Sequence, residues 1–151
     1  MFRKSGLRTF GALAVAAAIV GASAAAFAGE NDVKFRQSTM KAVGGHMAAM
    51  AAIIKGEVKH ASHLRGHAAA MASLGKMAPD VFAKGSEGGG AKPEAWSKPE
   101  DFKKALAAFA TASENLSKAA QGSDKKAVGA AFAALGKSCK GCHDDFREKK
   151  K

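Results

Sequence analysis

The sequence predicts an all-α protein, an antiparallel four-helix bundle. Apolar residues recur at steps of three and four through four separate segments, which is the spacing of one helix face. No stretch alternates with period two over a useful length, so strands are not expected. The connections are short except for one, between the second and third segments, and short links favour antiparallel neighbours.

The first helix is read from "NDVKFRQSTMKAVGGHMAAMAAIIKGE", with Val33, Arg36, Met40, Val43, Met47, Met50 and Ile54 on one stripe. It is expected to begin near Asn31 or Asp32 and to end near Gly56. The second, "VKHASHLRGHAAAMASLGKMAPDVF", aligns Ala61, Leu64, Ala68, Met71 and Ala78 and should stop before Pro79. "FAKGSEGGGAKPEAWSKP" is rich in Gly and Pro and reads as a loop. Ser97 and Glu100 have capping-box spacing around Pro99, which suits a helix start. The third stripe is Phe102, Leu106, Phe109, Ser113, Leu116 and Ala120. "QGSD" then breaks the chain, with Ser123 a candidate cap. The last helix carries Val128, Phe132, Leu135, Cys139, Cys142 and Phe146, so both cysteines continue its buried stripe in phase. The abundant alanine suits helices that approach closely, and no internal repeat is visible.

Residues 1–28 read as a cleaved signal peptide: Arg3, Lys4 and Arg8 precede an apolar run that ends in Ala26-Phe27-Ala28. An uncleaved anchor is the competing reading, since about 18 apolar residues approach a membrane span; alanine is only weakly apolar, which favours cleavage. Residues 29–151 then form one domain, expected in the periplasm, with no membrane span once the leader is removed. Removing a leader with three basic residues and no acid lowers the formal charge from +11 to +8. That charge concerns solubility and steering toward acidic partners. The lysines are dispersed rather than interleaved with aromatics, which argues against a nucleic-acid partner.

The chemistry concentrates in "SCKGCHDDF". A zinc corner needs two further ligands, and there is no third cysteine. A thioredoxin-like pair needs a βαβ context and a helix N-terminus to lower the thiol pKa, whereas this pair falls late in a helix. A disulfide within one helix would link nothing distant. Covalent haem attachment fits: two thiols one turn apart add to two vinyl groups, and His143, four residues after Cys139, places an imidazole over the iron. One haem c is therefore the expected cofactor, bound near the C-terminal helix, with His143 as an axial ligand.

This pattern resembles the class II c-type cytochromes, the cytochrome c′ and cytochrome c-556 group, over nearly the whole of residues 29–151. "VKFRQSTMK" resembles the family's first-helix signature, "KGSEGGGAKPEAW" its interhelical loop and "CKGCHDDFREKK" its C-terminal end. The resemblance implies a haem within the bundle, bound by the last helix and covered by the first. It places Met40 over the second face of the iron. In some members a methionine there is a ligand and the protein is a low-spin electron carrier. In others the equivalent residue does not bind, and the iron is five-coordinate and open to NO or CO.

The leading expectation is a periplasmic electron-transfer cytochrome with His143/Met40 ligation, because a thioether raises the potential as a carrier requires. The alternative is the five-coordinate, high-spin form that binds NO or CO with Met40 unligated. A peroxidase-like enzyme would need an acid–base pair near Met40 and none is visible, so an enzyme is not expected. Gly44 and Gly45 each cost about 1 kcal/mol in a helix interior, which suggests a flat group or another helix against that turn. Arg36, one turn before Met40, is a candidate partner for a haem propionate, since a buried Arg calls for an anion. Gln37, by resemblance, reaches the haem edge. Met47 and Met50 read as core. His63 and His67 have i, i+4 spacing that could hold a metal, but solvated histidines explain them and His60 more simply. His46 is a weaker competitor of Met40 for the iron. The "DDFREKKK" tail reads as a solvated helix end. Expected partners are redox proteins or respiratory or photosynthetic electron-transfer complexes, with a homodimer as a further option.

Overall fold

The computed structural model describes residues 18–149, with side chains from residue 29 onward. The first part of the expected leader, residues 1–17, lies outside the described residues. Four long helices dominate: α1 (Ala18–Ile54), α2 (Leu64–Met77), α4 (Pro99–Ala119) and α5 (Lys125–Phe146), with one short helix, α3 (Glu94–Ser97), before α4. Among the described residues the only β pairing is an isolated antiparallel bridge between Ala91 and Arg147.

Several boundaries differ from expectation, each for a local reason. Helix α1 starts upstream of Asn31, because the alanine-rich segment before it consists largely of the best helix former. The second helix passes Pro79 as a 3₁₀ turn over Ala78–Phe82, where Pro79 occupies an early position that needs no amide donor. The capping box at Ser97 does not form. Ser97 ends α3, and Lys98 is the N-cap of α4 with no side-chain cap bond. Lys98 precedes Pro99, whose ring disfavours the helical conformation in the preceding residue, so the break falls there.

Helix α5 is capped by Asp124 rather than Ser123. The Asp124 carboxylate accepts from the amides of Lys126 at 2.8 Å and Ala127 at 3.1 Å. A carboxylate serves this position twice, through the bonds and through the favourable end of the helix dipole.

The helices pack in sequence, α1 on α2, α2 on α4 and α4 on α5. Met50, Met71, Leu116 and Leu135 are fully buried at this centre. The α2–α4 contact is close because Gly75 has no side chain: a Cβ there would stand 3.1 Å from Ala110 Cα. Helices α1 and α5 scarcely touch, and the space between them is a cavity that both line.

Removing the Asp124 cap leaves two amides of α5 without protein acceptors. Asp124→Ala should cost about 1 kcal/mol, measured by urea denaturation with an unchanged m-value.

Candidate functional site

A cavity of about 440 Å³ separates α1 from α5, within the usual range for a cofactor site of about 300–1,000 Å³. Helix α1 lines it with Met40, Val43, Gly44 and Met47, and α4 with Phe102, Leu106 and Phe109. Helix α5 contributes Gly136, Cys139, Cys142, His143 and Phe146, and the connection before α3 contributes Phe82, Gly89, Gly90 and Ala91. All six residues singled out from the sequence, Arg36, Gln37, Met40, Cys139, Cys142 and His143, line this one cavity.

The α5 stripe accounts for the thiols. Leu135 is buried and Cys139 and Cys142 are half-buried, in the helical phase expected from the sequence. The two cysteines are not joined to each other by a disulfide. Burial raises the pKa of Cys139, and it pushes Cys142 up to about 11, helped by the neighbouring Cys139 and Asp145. A thiol–disulfide reagent needs the opposite, a stabilised thiolate. His143 is half-buried, and burial followed by the adjacent Arg147 charge lowers its pKa, with Asp144 opposing. Near neutral pH its imidazole is therefore uncharged and has a lone pair to donate.

The glycines test the fit to a flat group. Neither Gly44 nor Gly45 lies against another helix, since a Cβ at either would meet nothing within 4 Å. Gly44 opens onto the cavity, as does Gly136 on α5, which is equally uncrowded. Two thiols, an imidazole and a thioether on apolar walls, with a glycine in each facing helix, fit a haem.

Arg36 is almost fully buried, 3 % exposed. Its guanidinium donates to the Ser86 carbonyl, to Ser86 Oγ at 2.9 Å and to the Gly88 carbonyl at 2.7 Å. It also lies 5.3 Å from the ring centroids of both Phe82 and Trp96. Burial lowers its pKa, and the nearby Glu87 charge opposes this. Neutral oxygens and ring faces thus surround most of a cation for which the sequence suggests an anion. Gln37 Nε2 donates to the Gly89 carbonyl at 3.0 Å. Gly89 has φ +59°, and a Cβ there would collide with Val33, so only glycine lets this loop lie on α1.

The same loop reaches α5. Lys92 N donates to the Phe146 carbonyl at 2.9 Å and Glu148 N to the Gly90 carbonyl at 3.0 Å. Helix α5 therefore ends at Phe146, and Arg147–Lys149 run beside the loop instead of forming the solvated helix end expected.

Met47, expected in the core, is half-buried and lines the cavity. Gly136 and Arg147 escape a reading by motif, although each stands one turn from a motif residue, Cys139 and His143 respectively. His46 is absent from the cavity lining and turned toward His67.

The loop contacts give Arg36 a measurable structural role. Arg36→Met should cost about 2–4 kcal/mol in thermal or urea unfolding, by leaving the buried Ser86 carbonyl unpaired and removing the cation from two rings. Arg36→Lys should recover only part, because an ammonium cannot reproduce the planar fork.

Comparison with known proteins agrees with this geometry. The family model for Cytochrome C′ matches residues 31–147. The chain is 40 % identical over 119 residues to the cytochrome c′ of Pararhodospirillum photometricum, covering 77 % of this chain and 95 % of that one. It is 36 % identical over 121 residues to a cytochrome c-556 of Agrobacterium tumefaciens (strain II Chrys), covering 79 % and 98 %. Among solved structures it is similar to a ferrous point variant of the cytochrome c′ of Alcaligenes xylosoxidans with bound NO, with a TM-score of 0.76, 35 % identity and coverage of 81 % and 97 %. The chain belongs to the cytochrome c′ family, the class II c-type cytochromes, and its cofactor is covalently bound haem c.

Proposed function

We propose that this protein is a periplasmic haem protein whose iron is bound by His143 and left open on its other side, where NO or CO binds. Cys139 and Cys142 carry the thioether bonds to the haem, and residues 1–28 are the export leader removed before assembly. The haem, when bound, supplies a one-electron Fe(III)/Fe(II) couple and a coordination position for a diatomic gas. The chain's own residues fix one ligand and shape the surroundings of the other.

The observation that carries this reading is the apolar wall formed by α1 and α4. Met40, Val43, Met47, Leu106 and Phe109 present no proton donor and no acid–base pair. Such a wall excludes water and admits a small uncharged ligand, and it has no group to cleave a peroxide bond. Kinship supports the same choice: solved point variants of the cytochrome c′ of Alcaligenes xylosoxidans include complexes with nitric oxide and with carbon monoxide. Arg36 and Gln37 line the loop end of the cavity, which supports assigning them to the polar edge of the haem.

The second reading is the low-spin electron carrier expected from the sequence, with the Met40 thioether bound to iron. Its support is the position of Met40 in the same cavity as His143, together with the cytochrome c-556 relatives. The competition between these readings concerns one sulfur atom. No helix among the described residues is long and apolar enough to cross a membrane.

Absorption spectra and CO kinetics of the wild type and Met40→Ala separate the two. The proposal expects a high-spin haem in both proteins and faster CO association in the variant, because the shortened side chain widens the approach. A low-spin wild type that becomes high-spin in Met40→Ala, with a lowered potential, would establish Met40 as a ligand and the protein as a carrier.

A further inference from the structure

Away from the haem cavity, His46 on α1 and His67 on α2 meet with their Nδ1 atoms 2.9 Å apart. Both rings are half-buried, and their centroids are 5.1 Å apart with planes inclined at 65°. Donor and acceptor cannot be the same tautomer at this contact: one ring carries a proton on Nδ1 and the other offers a lone pair there. Two imidazole nitrogens on separate helices are thereby held at one point. Among the described residues no carboxylate or thiol joins them in a three-residue cluster. His63, one turn before His67, stays apart; it is exposed and stacked on His60 at 5.2 Å.

We propose that His46 and His67 form a divalent metal site between α1 and α2, selective for Cu²⁺. With metal–nitrogen bonds of about 2.0 Å, donors spaced as these are subtend about 90° at the metal. That angle suits adjacent positions of a square-planar or tetragonal centre, the geometry of Cu²⁺ and Ni²⁺, rather than the wider angle of tetrahedral zinc. Cu²⁺ also binds nitrogen ligands most tightly of the divalent first-row ions.

Binding needs only a tautomer change. The donor ring moves its proton from Nδ1 to Nε2, and both Nδ1 lone pairs then face the ion with no net proton released. Each ring turns modestly so that the lone pairs converge beside the line joining the nitrogens. Water completes the remaining positions. The site would join the two helices outside the lining of the haem cavity, which includes neither histidine.

The test is calorimetric titration of the holoprotein with Cu²⁺, together with electron paramagnetic resonance of the copper. The proposal expects one Cu²⁺ per chain with two nitrogen ligands in the hyperfine pattern. His46→Gln and His67→Gln should each weaken binding by about tenfold or more, since each loses one of two protein ligands. The double variant His60→Ala/His63→Ala should bind as the wild type does. Absence of a two-nitrogen copper signal in the wild type overturns the proposal without reference to any variant. Unchanged affinity in either glutamine variant, or loss of the site in the His60/His63 variant, overturns it as well.

Discussion

The separation of α1 from α5 is the constraint on which the rest of the structure depends. Three of the four interfaces around the bundle are closed by side chains, down to the Gly75 contact that brings α2 onto α4. The fourth is held open. Gly44 and Gly136 place no side chain where a packed bundle would need one, and the remaining walls are apolar. Apolar surface facing water forfeits about 25 cal/mol for each Å² not buried, and interiors are ordinarily packed as densely as organic crystals. The haem belongs to the hydrophobic core as much as to the chemistry. The fold and the cofactor are then coupled: a group that fills the space between α1 and α5 supplies contacts that no residue of the chain makes.

Two separate devices fix the walls of that space. On α5, a stripe that is buried at Val128, Leu135 and Phe146 and half-buried at Cys139 and Cys142 sets the rotation of the helix, and the rotation presents both thiols to the cavity. At the other side, Arg36 and Gln37 hold the glycine-rich loop to α1, and the loop pairs in turn with the chain just beyond α5. The loop thus links the two helices that do not pack on one another. Phe102 bridges the aromatic rings of Phe82 and Phe146 edge-on, at 4.7 and 4.9 Å, and joins the same parts through the core. A change in Arg36 is felt at the cavity through positioning, even where it touches nothing that reacts.

Features set by local periodicity are the most legible in the sequence. Leu135, Cys139, Cys142 and Phe146 lie on one face because helical geometry alone puts them there, and the Cys-x-x-Cys-His spacing carries its own chemistry. Caps are less legible. Ser123 and Asp124 are both competent N-caps, and the choice depends on one residue of phase; Ser97 loses to the steric effect of Pro99 on Lys98. Tertiary partners are hidden altogether. A buried Arg36 is foreseeable from its stripe, but not that loop carbonyls and two aromatic rings surround it. Nor can spacing pair His67 with His46, twenty-one residues earlier, in preference to His63 on the adjoining turn. The direction of a contact between helices depends on how their faces meet, and one-dimensional periodicity leaves that open.

The proposed covalent attachment at Cys139 and Cys142 of α5 links the core packing to the chemistry, and mass spectrometry of the purified protein after acid–acetone treatment tests it most directly. The expected result is a chain mass increased by one haem that survives the extraction, and a proportion of haem-bearing chain that falls sharply in Cys139→Ser and Cys142→Ser. A wild-type chain that loses its colour to the solvent and returns to the mass of the polypeptide alone would contradict it.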